Sequence, residues 1–455
     1  MTQAEKSRGI SRIDPFSREY LQVAVKRSRE HYQDRYREIF KAFPNLFKDL
    51  GSQATDRYYR ELARCWLAPE NVWDPFAAWR NACMITSRWL QLGRGVLTYR
   101  DDERVKLGDR EPGIQWRLGR NIAVTPKETV YESDVLKVYH YLTPDEPGRK
   151  VHRRPFFMLY SWINAYWILD LTPETSMVRS IRDAGIDLYM TDWQEPPTEE
   201  AFDYDLATYM RECHKATDAV REHSGEETVC IGGYCIGGTL ADIMVAQNPD
   251  RVAAVVNLTT GLDTYAGEEG AGAFGAFTSF DIADLGEFAA RHGGMLPQKE
   301  FCEFFDNVKP KKAVETFMAR YVYGTEFPDD PVSYWNRRSA RAVYPVHIEF
   351  LKRIYNDNEL ADGTMSLSNK VVDLRRINQP LLVIMGQFDH IVPLPVALRT
   401  HHLVSTPPDD QESILIKGGH VRAIVNDGLY PIINDFLARH SGPRDRVVGS
   451  ASAAK

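Results

Sequence analysis

The pattern of apolar and polar positions changes texture at about residue 121. Before it, from 10 to 97, apolar and aromatic residues recur at helical intervals within charged stretches, most clearly over 18–47 and 56–67, without the alternation a strand requires. Residues 1–120 are therefore expected to form a helical accessory region. Its aromatic residues, among them Tyr58, Trp66, Trp73 and Trp89, suit an ordinary helical core better than a partner surface.

From 121 onward, short β-branched or aromatic runs alternate with helical ones, the order expected of a parallel sheet covered by helices. Strands are expected at 135–142, 155–160, 186–193, 228–234, 252–259, 380–388 and 412–417. A first helix is expected with Thr172 as its cap, Pro173 at its first position, Met177, Val178 and Ile181 on one face and Gly185 at its end. A second aligns Leu206, Met210, Cys213 and Val220, a third runs from Ile236 through Met244, and others are expected near 394–403 and 422–439. The alternation lapses between about 263 and 365, which marks an insertion in a domain spanning 121–440. From 441 the chain is small and polar, so a disordered tail is expected there.

Composition narrows the function without choosing it. At 455 residues, 43% hydrophobic and 26% charged, the chain is long enough for one large domain and an accessory region. A formal net charge of -7 with no basic run excludes a nucleic-acid surface. The first 19 residues are polar and mixed in charge, unlike a secretory signal. The longest apolar stretch, 156–171, is broken by Ser161, Asn164 and Asp170, so no membrane span is expected. The six cysteines form no CxxC pair, which argues against a disulfide framework and against a metal site, and points to a reducing cytoplasmic setting.

The chemistry concentrates at Gly232-Gly233-Tyr234-Cys235-Ile236-Gly237-Gly238, a nucleophile elbow of the GxSxG type with cysteine in place of serine. A side chain on so sharp a strand-to-helix turn needs neighbours without a Cβ two places before and two places after it, and these are Gly233 and Gly237. The helix starting at Ile236 aims its positive end at the sulfur, and the Ile236 N–H is placed to serve half of an oxyanion hole. An arbitrary free cysteine is more often a buried structural one, and that reading is given to Cys65, Cys83, Cys213, Cys230 and Cys302. For Cys235 the setting reverses it. The expected fold is α/β, an α/β-hydrolase fold with a cap insertion at about 263–365, preceded by the helical N-terminal region.

In that fold the order along the chain is nucleophile, acid, histidine. Asp389 ends the run Leu381 to Phe388, and His420 follows the last expected strand in Lys417-Gly418-Gly419-His420. The gaps, 154 residues and then 31, leave room for a cap and then for one helix and one strand. Each residue alone has an ordinary reading, a turn aspartate and a surface histidine; together with Cys235 they form the expected catalytic set. His390, beside Asp389 on an extended segment, points the other way and is expected to support the site from behind.

These motifs resemble the polyhydroxyalkanoate synthases, whose lipase-like box reads GxCxGG. The box by itself also resembles that of the dienelactone hydrolases, so other segments carry the comparison. Trp162-Ile163-Asn164-Ala165-Tyr166-Trp167-Ile168-Leu169-Asp170-Leu171, Asp192-Trp193-Gln194-Glu195-Pro196, Tyr334-Trp335-Asn336, Asp389-His390-Ile391-Val392-Pro393 and Gly419-His420-Val421 with Val425-Asn426 are similar to synthase segments, in order, from about 121 to 437. Ser161 stands where many members have proline, and Arg337-Arg338 where an aspartate often follows the WN pair. The region before 121 does not resemble the long N-terminal domain of single-subunit synthases.

The resemblance implies polymerisation of (R)-3-hydroxyacyl-CoA through an acyl-cysteine on Cys235, with no cofactor beyond the coenzyme A of the substrate. A second oxyanion donor is expected from 161–164, with Ile163 and Asn164 at the substrate. The resemblance also implies work at a polyester granule in the cytoplasm, as a homodimer or with a second synthase subunit. The rival reading is a cysteine-dependent hydrolase of the same fold, a thioesterase or dienelactone-hydrolase-like enzyme, with water as acceptor.

Overall fold

A nine-stranded sheet forms the centre of the described residues. The structure is a computed structural model that describes residues 10–13, 122–143, 150–197, 199–266, 289–290, 293–296, 331–336, 342–389 and 391–447. The rest of the expected accessory region, Cys65, Cys83, Cys302, His390, much of the insertion and residues 448–455 lie outside these.

The strands of the sheet are β1 (Ile10–Arg12), β2 (Lys127–Glu132), β3 (Leu136–Tyr141), β5 (Phe156–Leu159), β6 (Leu188–Trp193), β7 (Val229–Tyr234), β8 (Val252–Leu258), β9 (Leu381–Gly386) and β10 (Gln411–Ile416); β4 (Lys150–His152) lies apart. Their order is β1-β10-β9-β8-β7-β5-β6-β3-β2. The six strands from β10 to β6 run parallel, and β1, β3 and β2 pair antiparallel at the two ends. β5, β7 and β9 are buried at every position, as befits parallel strands with helices on both faces, and this is why they read in the sequence as unbroken apolar runs.

The α-helices of seven or more described residues are α1 (Met177–Asp183), α2 (Leu206–Ser224), α3 (Ile236–Gln247), α4 (Tyr344–Phe350), α5 (Leu394–Leu403) and α6 (Tyr430–His440), and a shorter one covers Pro331–Asn336. α2 starts at Asp205, whose carboxylate accepts the Thr208 N–H, and stops at Gly225 in the left-handed region. α3 is buried on every side, so it packs under the sheet's centre rather than presenting a polar face to water.

Four expectations are corrected. The segment expected to be helical from residue 10 begins with β1, whose Ile10 pairs with Ile416 at the sheet edge; three residues are too few to show a period. The first helix starts not at Thr172 but at Ser176, because Thr172 and Thr175 close a turn on each other while Ser176 accepts the Arg179 N–H. The single helix expected over 422–439 is two pieces, a short 3-10 turn at Val421–Ala423 and α6; Pro431, which has no N–H to give, sits in the first turn of α6, where no donor is needed, and so marks a fresh helix start. The tail is ordered as far as Val447: β11 (Arg444–Val447) pairs antiparallel with β4.

Among the described residues, no helix is long and apolar enough to cross a membrane.

Candidate active site

At the end of β7 the chain turns through Cys235, whose φ of 57° and ψ of -125° lie where residues with a Cβ rarely sit. The turn is held by the Cys235 N–H donating to Leu258 O at 3.0 Å, and α3 begins at the next residue. The expected glycines are required by close approach. A Cβ on Gly233 would run into the carbonyl of Gly237, and one on Gly237 into the carbonyl of Leu159, at the end of the neighbouring strand. The helix therefore starts hard against the sheet, its first N–H groups without partners inside the helix and its positive end beneath the sulfur. The Ile236 N–H is the first of these.

Two strands over, β9 and β10 run parallel with Gly386 opposite Ile416, so the loops that leave them emerge side by side. The first carries Asp389 and the second His420. Asp389 is fully buried; its Oδ1 accepts the N–H groups of Ile391 at 2.8 Å and Val392 at 2.9 Å, which aims Oδ2 at His420 Nδ1, 2.7 Å away. That contact assigns the Nδ1 proton to the Asp389 side. His420 Nε2 is buried and has no hydrogen-bond partner among the described residues. Burial lowers the histidine's proton affinity, but Asp389 and then Cys235 outweigh it and push its pKa up to about 10. The fold thus brings Cys235, His420 and Asp389 together in the order expected of them.

The other described cysteines contrast with this one. Cys213 and Cys230 are free and buried, and burial pushes the Cys230 thiol up to about 11 and that of Cys213 higher still. Neither is poised to ionise.

Three phenols gather around the sulfur that the sequence did not single out. Tyr160, Tyr234 and Tyr355 are all buried, and burial first, with a smaller contribution from Cys235, raises each well above the usual tyrosine range. They stay protonated at neutral pH. The Tyr160 hydroxyl has no hydrogen-bond partner among the described residues, and the Tyr234 ring lies 5.0 Å from that of His420. Tyr234 ends β7, Tyr160 follows β5 by one residue and Tyr355 lies in the π-helical segment Leu351–Asn356, so in the sequence they pass for core aromatics.

The segment 161–170 forms one wall. Asn164 is nearly buried, and its Oδ1 lacks a partner among the described residues. The Ile163 N–H donates to Ser161 Oγ at 3.4 Å. His390 lies outside the described residues. The described parts of the insertion dock on the same wall: Trp335 donates its indole N–H to Ala165 O at 2.7 Å, and Trp162 donates to His347 Nδ1 at 3.3 Å. Burial lowers His347 to about 4, which keeps it neutral and able to accept that bond.

Residues 170–427 match the α/β-hydrolase fold family. The chain belongs to that family. Residues 84–181 match the N-terminal region of poly-β-hydroxybutyrate polymerase, so the likeness starts ahead of residue 121, where the motifs alone had placed it. Relatives include a poly(3-hydroxyalkanoate) polymerase subunit of Haloferax mediterranei, 29% identical over 70% of this chain and 65% of its own, and one of Haloarcula marismortui, 27% identical over 72% and 70%. A poly(3-hydroxyalkanoate) polymerase of Methylorubrum extorquens is 29% identical over 68% of this chain and 50% of its own length. The matched part of this chain thus spans about half to two thirds of the length of these relatives.

Proposed function

We propose that this α/β-hydrolase-fold chain is an acyltransferase of the polyhydroxyalkanoate synthase kind, polymerising (R)-3-hydroxyacyl groups from their coenzyme A thioesters. The observation that carries the reading is the 2.7 Å hydrogen bond between His420 and Asp389 beside Cys235 at the elbow. The polymerase relatives and the match over 84–181 support the substrate class.

In this reading the Cys235 thiolate, formed as His420 Nε2 takes the thiol proton, attacks the thioester carbonyl. The oxyanion is met by the Ile236 N–H at the start of α3 and by a donor from 161–164. The bond to the coenzyme A sulfur breaks, the imidazolium returns its proton to that sulfur, and an acyl-cysteine remains. A second substrate then offers its 3-hydroxyl; His420, or Asp389 directly, accepts that proton, the new C–O ester bond forms, and the acyl–sulfur bond to Cys235 breaks. Where His420 is the base, Asp389 holds the imidazole by Nδ1, leaving Nε2 for the reacting atoms. Cysteine suits the cycle because exchange between two thioesters is nearly balanced, whereas an oxygen ester on the enzyme would be harder to displace. No cofactor is needed, and the insertion that docks through Trp335 and His347 keeps water from the acyl-cysteine. The granule surface and a second subunit or copy belong to the same proposal, in the cytoplasm.

The test is coenzyme A release from (R)-3-hydroxybutyryl-CoA by purified protein, with insoluble polyester weighed and Cys235→Ala run alongside. Release with polymer, both lost in the variant, is the expected result. Release with free hydroxy acid alone would make the chain a hydrolase and overturn the proposal.

A further inference from the structure

At the opposite end of the parallel strands from Cys235, and three strands across the sheet from β7, a polar cluster is built from β2, β3 and the end of α2. Glu128, His140 and His223 each contribute one ligand atom to a cluster in which these atoms lie within 4.8 Å of one another. His140 Nδ1 is 3.0 Å from Glu128 Oε1, and His223 Nε2 is 3.8 Å from the same oxygen. For bonds of about 2.0–2.1 Å around one tetrahedral ion, ligand atoms fall at about 3.3 Å from each other, which these spacings bracket.

The far side of each imidazole is already engaged. His140 Nε2 lies 2.7 Å from Asp187 Oδ1, and Asp187 is in turn paired with Arg446. Tyr189 donates its hydroxyl to Asp187 Oδ2 at 3.2 Å and, with its proton committed there, accepts from His223 Nδ1 at 2.8 Å. His223 is thereby held as the tautomer whose Nε2 carries a lone pair. His140 sits between two carboxylates, and a neutral imidazole has one N–H for the two of them. With that N–H on Asp187, its Nδ1 lone pair and the Glu128 carboxylate face each other at 3.0 Å with nothing positive between. Three acceptors thus lie together, each imidazole oriented through its other nitrogen by a carboxylate or a hydroxyl, as in histidine sites for zinc.

We infer that Glu128, His140 and His223 form a binding site for one divalent transition-metal ion of the zinc type, which ties the outer strands β2 and β3 to α2. Two imidazoles favour such an ion over calcium or magnesium, which prefer oxygen alone. The expectation of no metal site rested on cysteine spacing, which does not see histidines brought together from three elements. Glu128 and His223 are partly open to water, so the ion has an entry path and a position for a water ligand.

The experiment is calorimetric titration of metal-stripped, untagged full-length protein with Zn2+, repeated with Co2+ to read its visible ligand-field absorption, on wild type, Glu128→Gln, His223→Ala and Cys235→Ala. Expected are one ion per chain in wild type and Cys235→Ala, a tetrahedral-type cobalt spectrum, and affinity at least about tenfold weaker in Glu128→Gln and His223→Ala. Both of those substitutions lie at the solvent edge, and an unchanged far-ultraviolet spectrum would show the fold intact. No binding in wild type, equal binding in all four proteins, or binding lost in Cys235→Ala in place of His223→Ala would overturn the inference.

Discussion

Asn257 donates its amide to Asp242 Oδ2 at 2.8 Å beneath the elbow, while the Oδ1 atoms of both residues are buried without a partner among the described residues. Two acceptors without a donor are relieved by one proton. Burial accordingly raises Asp242 to about 8, against the smaller opposing effect of the Asn257 bond.

From that relationship follows a pH-dependent stability. The folded protein holds the Asp242 proton to about pH 8 and the unfolded chain releases it near 4, so stability is lost as pH rises between these values. Asp242→Asn supplies the missing N–H without a charge. Its stability relative to wild type should rise from pH 5 to pH 8 by roughly 1–3 kcal/mol, measured by urea unfolding at the two pH values. An equal effect at both would show that Asp242 is ionised in the fold.

His420 titrates in the same sense but over a higher pH range. Its folded value of about 10 lies above the ordinary 6.5, so its stabilising contribution is complete below about pH 6.5 and disappears as pH rises through 10. His420→Gln should cost roughly 2 kcal/mol or more at pH 6 beyond its cost at pH 10. Chemical denaturation of the two proteins across this range checks it.

Asp389→Asn should leave the fold standing and lower the rate of coenzyme A release by a factor on the order of 10⁴. The amide keeps the bonds from the Ile391 and Val392 N–H groups through Oδ1 but turns a donor toward His420 Nδ1, which reverses the tautomer. Single-turnover assays with matched thermal midpoints would separate this from misfolding. A rate within tenfold of wild type would remove Asp389 from the machinery.

Asp170 anchors the loop that forms the site's wall. It accepts from the Thr125 N–H at 3.2 Å, Thr125 Oγ1 at 2.7 Å and Ser176 Oγ at 2.6 Å. Asp170→Ala should destabilise the protein by about 2–4 kcal/mol, seen as a lowered unfolding midpoint, and reduce activity through the misplaced wall. Asp170→Asn, which keeps part of the network, should fall between.

Gly237→Ala should prevent correct folding, because its Cβ meets the Leu159 carbonyl and neither backbone can retreat without breaking the elbow or the sheet. Soluble yield against Gly225→Ala, where a Cβ meets nothing within 4 Å and only the left-handed backbone resists, isolates the steric effect.

The sequence by itself determined the elements whose stability is local or periodic. The apolar runs of β5, β7 and β9, the spacing of Leu206, Met210, Cys213 and Val220 on α2, and the two glycines flanking Cys235 are readable because each follows from a repeat or a steric rule within a few residues. The order of Cys235, Asp389 and His420 was legible for the same reason: each sits just past a strand. What only the tertiary structure decided depends on partners far along the chain. β1 is a strand because β10 offers it an edge, and α1 begins at Ser176 because Asp170 holds that hydroxyl while it caps. Likewise, Tyr160 and Tyr355 become neighbours of Cys235, and Glu128 of His140 and His223, only once β2, β3, α2 and the insertion have packed. Hydrophobic period specifies which face is buried, but it does not say which buried polar groups meet.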